Sequence, residues 1–137
     1  MAASPQYTTH PISATASISA ANTNRDGSTG TYVTAYTFLA AANKGVGGRI
    51  DSVTIQATGT TTAGMVRMFV NTALVREFPV SAITPSGTVK AFSVPTSDGA
   101  DVNGRVPLGV VCQAGDVIKF STHNAEAFIC RVEGGEF

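Results

Sequence analysis

Apolar and polar residues alternate along much of this chain with a period of two. In Met65-Val66-Arg67-Met68-Phe69-Val70, the side chains of Val66, Met68 and Val70 fall on one face of an extended strand, and Met65, Arg67 and Phe69 on the other. In Val53-Thr54-Ile55-Gln56-Ala57 the apolar set occupies the odd positions while threonine and glutamine face water. One buried face and one wet face is the habit of antiparallel sheets. Eight strands are predicted on this basis, at 31–38, 50–57, 65–71, 74–80, 88–94, 106–112, 116–122 and 126–132. Turn residues separate them: Asn71-Thr72 leaves a hairpin-length gap, Asn103-Gly104 suits positive φ, and 122–125 join the last two segments. Helix-friendly sequence is confined to 38–42. Eight short strands at this spacing predict an all-β chain, an antiparallel β-sandwich of the jelly-roll type, with a closed β-barrel as the alternative architecture.

Residues 1–24 differ from the rest, with serine, threonine and alanine interleaved and few large apolar groups. Such a block cannot build its own core. It is expected to be an extended N-terminal arm, 1–24, preceding a sandwich domain, 25–137; the competing expectation is a first strand over 12–20, where alternation is weak. Fully extended, 24 residues span about 80 Å, enough to cross onto a neighbouring subunit. Pro5, Tyr7, His10, Pro11 and Ile12 are the candidate partner contacts in that arm. On the arm reading, a chain beginning near Thr31 folds but binds its partner poorly.

Composition narrows the function classes. The chain has 137 residues, nine basic and nine acidic side chains, 13% charged residues and no tryptophan. A length near 150 residues supports one domain with a single core. Net charge near zero and scattered arginines argue against a protein that tracks nucleic-acid phosphates or anchors to a membrane by a polybasic patch. The longest apolar runs fall far short of the ~20 residues of a spanning helix. The first 24 residues hold no lysine or arginine and no apolar core, so no secretory signal is expected.

Candidate chemistry is sparse. His123 stands among Ser121, Thr122, Asn124 and Glu126, with Asp116 one strand away. Sequence neighbours on a strand point to opposite faces, so this grouping does not predict a nucleophile, base and orienting acid. Asn22-Thr23-Asn24-Arg25-Asp26-Gly27 echoes a calcium loop, but asparagine holds its first position and Val33 its twelfth, where a glutamate belongs. The turn from Asp98 through Asp101 to Asn103 also lacks a following glutamate. Lys44-Gly45-Val46-Gly47-Gly48 is glycine-rich without the Gly-Lys-Ser/Thr of a phosphate loop. No catalytic residue, cofactor or metal is expected. Cys112 and Cys130 are candidates for a disulfide or a cross-link, against the preferred reading of buried free thiols. If the strands 106–112, 116–122 and 126–132 are neighbours, the two sulfurs lie about 9.5 Å apart. That exceeds the ~7 Å limit between the Cα atoms of a disulfide. An internal bond then requires 106–112 to belong to the facing sheet.

The segments Arg49-Ile50-Asp51-Ser52-Val53-Thr54-Ile55-Gln56-Ala57-Thr58-Gly59 and Thr62-Ala63-Gly64-Met65-Val66-Arg67 resemble the small virion structural proteins of tailed bacteriophages. Arg76-Glu77-Phe78-Pro79-Val80, Ser121-Thr122-His123-Asn124-Ala125-Glu126 and the ending Gly134-Gly135-Glu136-Phe137 extend the resemblance over roughly residues 30–137. It implies a capsid decoration, or cement, protein: a non-enzymatic β-sandwich on the outside of the shell, often a homotrimer, with no active site. The implied partners are the major capsid protein and further copies of the chain, with no nucleic acid and no membrane. The implied location is the virion surface, after synthesis in the host cytoplasm. Cys112 stands where an ordinary apolar residue is expected, which leaves a cross-linking role open. A tail or adaptor component is the neighbouring expectation. A carbohydrate-binding sandwich is the more distant one, disfavoured because the chain has only three tyrosines and no tryptophan for a sugar platform.

Overall fold

Valine, isoleucine, threonine and phenylalanine at every second position suit a pleated surface packed on one side, and the computed structural model, which describes residues 9–137, contains eight strands. They are β1 (His10–Ile18), β2 (Val33–Thr37), β3 (Gly48–Ala57), β4 (Gly64–Val70), β5 (Ala73–Val80), β6 (Arg105–Cys112), β7 (Val117–Thr122) and β8 (Phe128–Glu136). Two four-stranded antiparallel sheets result. The first runs β1-β8-β3-β6 and the second β2-β7-β4-β5. Strand pairs β1 with β8, β2 with β7, β3 with β6 and β4 with β5 show a long hairpin folded at Asn71-Thr72 and then rolled. That is the jelly roll. Between the sheets lie Ile50, Val53, Ile55, Val66, Met68, Phe78, Ile118, Phe120, Phe128 and Val132, all at 0 or 1% exposure.

Seven predicted strands are present within a few residues; one is not. The alternation of Phe92 and Val94 buries both side chains, yet 88–94 forms no strand. Beyond the start of β6 the edge of β3 offers only one bridge position, Gln56 to Ser93, so the segment has no ladder to join. It belongs instead to the irregular 81–104 connection.

The eighth strand is β1, and it corrects the domain boundary expected at 24/25. His10 pairs with Glu136 and the register continues to Ile18 opposite Phe128. Ile12, Ala16 and Ile18 point inward and are buried. Small apolar residues alternating with serine and threonine thus suffice for an edge strand once β8 supplies the ladder. Residues 1–8 lie outside the described residues, and with them Pro5 and Tyr7 of the expected arm.

Each free sheet edge carries a feature that discourages further pairing. Pro11, Pro79 and Pro107 interrupt the donors of β1, β5 and β6, while β2 has only five residues and a bulge. Within the first sheet, a Cβ on Gly134 would collide with the backbone of Arg49 and Ile50, so the bare Gly134-Gly135 pair lets β8 lie flat against β3.

The outer faces of the two sheets differ. Residues 19–32, between β1 and β2, cross the second sheet: Tyr32 stands edge-on to Phe69 with centroids 5.0 Å apart, and the Lys119 ammonium sits 4.8 Å above the Tyr32 ring. Lys119 also donates to the Gly27 carbonyl at 2.7 Å. Gly27 has φ +72° and approaches Thr72 so closely that no side chain fits. Phe69 and Arg67, on the outer face of this sheet, are consequently buried. The first sheet keeps its outer face open, with Ser13, Arg49, Arg105, Val111 and Arg131 exposed.

Candidate functional site

Strand β4 places Arg67 on the outer face of the second sheet, directly opposite Ser121 of β7. The 19–32 loop closes over it, leaving the guanidinium 1% exposed. A buried charge needs partners. Nε donates to Glu77 Oε2 at 3.2 Å, Nη1 to the Asn22 carbonyl at 3.2 Å, and Nη2 to His123 Nδ1 at 3.3 Å. Because an arginine nitrogen only donates, Nδ1 must accept, which places the proton of the neutral ring on Nε2. Glu77 Oε2 also accepts from Arg25 Nε at 3.1 Å, so one carboxylate oxygen serves two guanidinium groups. Arg25, Ala63, Gly64, Met65, Arg67 and His123 wall a depression of about 170 Å³.

His123 therefore faces an arginine, not a nucleophile. The Ser121 hydroxyl, buried two residues away, has no hydrogen-bond partner. The carboxylates that sequence proximity suggested are engaged elsewhere. Asp116 accepts from Asn71 Nδ2 at 3.0 Å and from the Gln113 N–H at 2.8 Å; Glu126 accepts from the Thr62 N–H at 2.8 Å and from its hydroxyl.

The calcium-like stretch is a self-satisfied turn. Asp26 accepts from the N–H groups of Ser28 and Thr29 at 3.0 and 2.8 Å, and from the Thr29 hydroxyl at 2.6 Å. Those bonds, led by the Thr29 hydroxyl, hold its carboxyl well below the usual carboxylate range. Asn22, buried, donates to the carbonyls of Thr29 and Thr31 and accepts from Asn24. Asp101 likewise accepts from the N–H groups of Asn103 and Arg105 within its own loop. Among the described residues, no three histidine, cysteine, aspartate or glutamate side chains converge.

The cysteines are free and buried. The neighbour relation assumed for them does not hold, because β7 lies in the other sheet and β3 separates β6 from β8. Cys112 sits opposite Gly48 of β3 and Cys130 opposite Ile55. Seven steps along β3 at ~3.3 Å each put them about 23 Å apart along the strand, which rules out an internal disulfide. Burial, with a contribution from Asp116, pushes the Cys112 thiol up to about 11, and burial alone pushes Cys130 up strongly. Neither is a thiolate near neutrality, and a cross-link to another chain requires the fold to open at that point.

Of the described candidates for partner contact, His10 and Pro11 are exposed on β1, whereas Ile12 is 4% exposed in the core and cannot reach a partner. His10 borders a small hollow with Leu39, Lys44, Val46 and Phe137. There Glu136 fastens the chain end, accepting from the Tyr36 hydroxyl at 2.9 Å and the Leu39 N–H at 3.0 Å. Burial, then Glu136, raises the Tyr36 phenol. Tyr36 packs edge-on against Phe38, as Tyr32 does against Phe69, so neither ring stands free as a sugar platform.

The outer face of the first sheet is exposed to solvent. Across it, Thr15, Arg131, Thr54 and Arg105 lie in one cross-strand row. Glu133 takes Arg105 at 3.3 Å and Arg131 at 3.8 Å, and Arg131 donates to the Ser13 hydroxyl at 2.6 Å. Val111, 71% exposed beside Arg49, and Ile129, 39% exposed, add apolar points toward opposite ends. Comparison with protein-family models, curated proteins and solved structures gives no match.

Proposed function

We propose that this chain is a non-enzymatic structural subunit of a phage virion, a decoration protein that lays the open face of its β1-β8-β3-β6 sheet on the outside of the capsid. The observation that carries the reading is the asymmetry of the sandwich. A loop covers the middle of one outer face, over Arg67 and Phe69, and the other presents an arginine-bearing, serine- and threonine-lined plane with valine and isoleucine at its margins. Interface cores favour arginine and apolar side chains over lysine. The jelly roll supports the reading more weakly, because that fold hosts shell proteins and lectins alike.

Magnitudes set what the face must do. Four strands ~4.8 Å apart and about nine residues long cover roughly 500 Å². A stable specific interface buries ~800 Å² per partner. One copy on one face is thus a weak binder, and a homotrimer engaging the major capsid protein three times gains its hold by avidity.

The test is sedimentation of purified protein with undecorated capsids. Saturable binding in multiples of the shell's symmetry sites, weakened by the Arg105→Glu/Arg131→Glu double variant, is the expected result. Full binding by that variant removes this face from the contact. A few copies per particle in place of hundreds moves the protein to the tail or an adaptor.

A further inference from the structure

We infer that the depression bounded by Arg25, Arg67 and His123 is a binding site for a small oxyanion, a carboxylate or phosphate group. Its charge is incomplete as it stands. Two guanidinium groups share one oxygen of Glu77, so this ion-paired group of three side chains carries one positive charge in excess at a partly dry surface. Glu126 accepts from the Thr62 N–H and hydroxyl and forms an ion pair with neither arginine.

The donors outnumber their uses. A guanidinium carries five N–H groups. Arg67 directs only three nitrogens to one acceptor each, and among the described residues the Nη groups of Arg25 have no partner. His123 lines the same wall. Planar forks of this kind match carboxylate and phosphate oxygens, and charge-assisted bonds to them are the strong ones.

The two arginines are also held differently. Arg67 is fixed beneath the 19–32 loop, while Arg25 on that loop is 57% exposed and tied only through its Nε to Glu77. The depression, about 170 Å³ and open to solvent, has room for one oxyanion group. This site does not depend on the capsid reading. A phosphate ion and an acidic side chain of a partner share the chemistry.

The experiment is an NMR titration of the full chain with sodium phosphate and, separately, sodium acetate, each against sodium chloride at matched ionic strength. The expected result is a saturable shift of the His123 ring and Arg25 Nε signals with at least one oxyanion and not with chloride. Arg25→Gln, at an exposed position, should weaken that binding about tenfold, the worth of one charge-assisted hydrogen bond. Arg131→Gln, on the opposite sheet, should leave it unchanged. Stronger binding of phosphate points to the free ion, and stronger binding of acetate points to a partner carboxylate. Absence of a saturable shift with either salt, or equal loss in both variants, overturns the inference.

Discussion

At Arg67 a single side chain determines how one face of the molecule is organised. Its guanidinium joins β4 to β5 through Glu77, to the 19–32 loop through Asn22, and to the turn after β7 through His123. Arg67→Ala should lower unfolding stability by about 3–5 kcal/mol, because it strands partners of a buried charge. Arg25→Ala, mostly exposed, should cost no more than about 1 kcal/mol. Urea denaturation of the two variants measures the difference; similar small losses would mean that the network is solvated. An arginine set between Met65, Met68 and Phe69 was visible in the sequence as a charge in an apolar run. Its partners were not, since Glu77 follows a turn and Asn22 precedes two strands. His123 was visible too, but its role depends on an arginine 56 positions away.

At the scale of elements, the 19–32 loop acts as a lid over the second sheet, and Asp26 fastens it. The sign of the pH dependence follows from the depressed folded pKa of Asp26. Its stabilising contribution is whole above the unfolded value near ~3.9 and drains away as pH falls toward the lower folded value. Protection of the Ser28 and Thr29 amides, measured against their intrinsic exchange rates, should therefore fall below about pH 4 in the wild type. In Asp26→Asn that loss of protection should be present at neutral pH. Protection that does not change with acid would assign the loop's order to Tyr32 and Lys119 alone.

Strands were legible where large side chains alternated, as in β3 and β4. The same signal misled at 88–94, where Phe92 and Val94 are buried by a loop that lacks a neighbouring edge. It was too faint at β1, whose inward residues include two alanines, and it stopped short in β8, whose last residues pair through glycines.

For the molecule as a whole, the pairing of β1 with β8 sets what can be removed. A chain starting at Thr31 should lose cooperative folding, because it deletes an edge strand together with Ile12, Ala16 and Ile18; this reverses the expectation drawn from composition. Thermal unfolding followed by circular dichroism separates the outcomes, and a cooperative transition in the shorter chain would show that β8 can serve as an edge.

That pairing also has a consequence in time. Strand β1 leaves the ribosome well before its partner β8, which follows about 120 residues later. At typical elongation rates it waits about 6–24 s for its own partner. During that interval the finished β8 of a neighbouring nascent chain on the same message offers an equivalent ladder. Polysome spacing, and not sequence alone, can then influence whether β1 closes at home or is exchanged between copies.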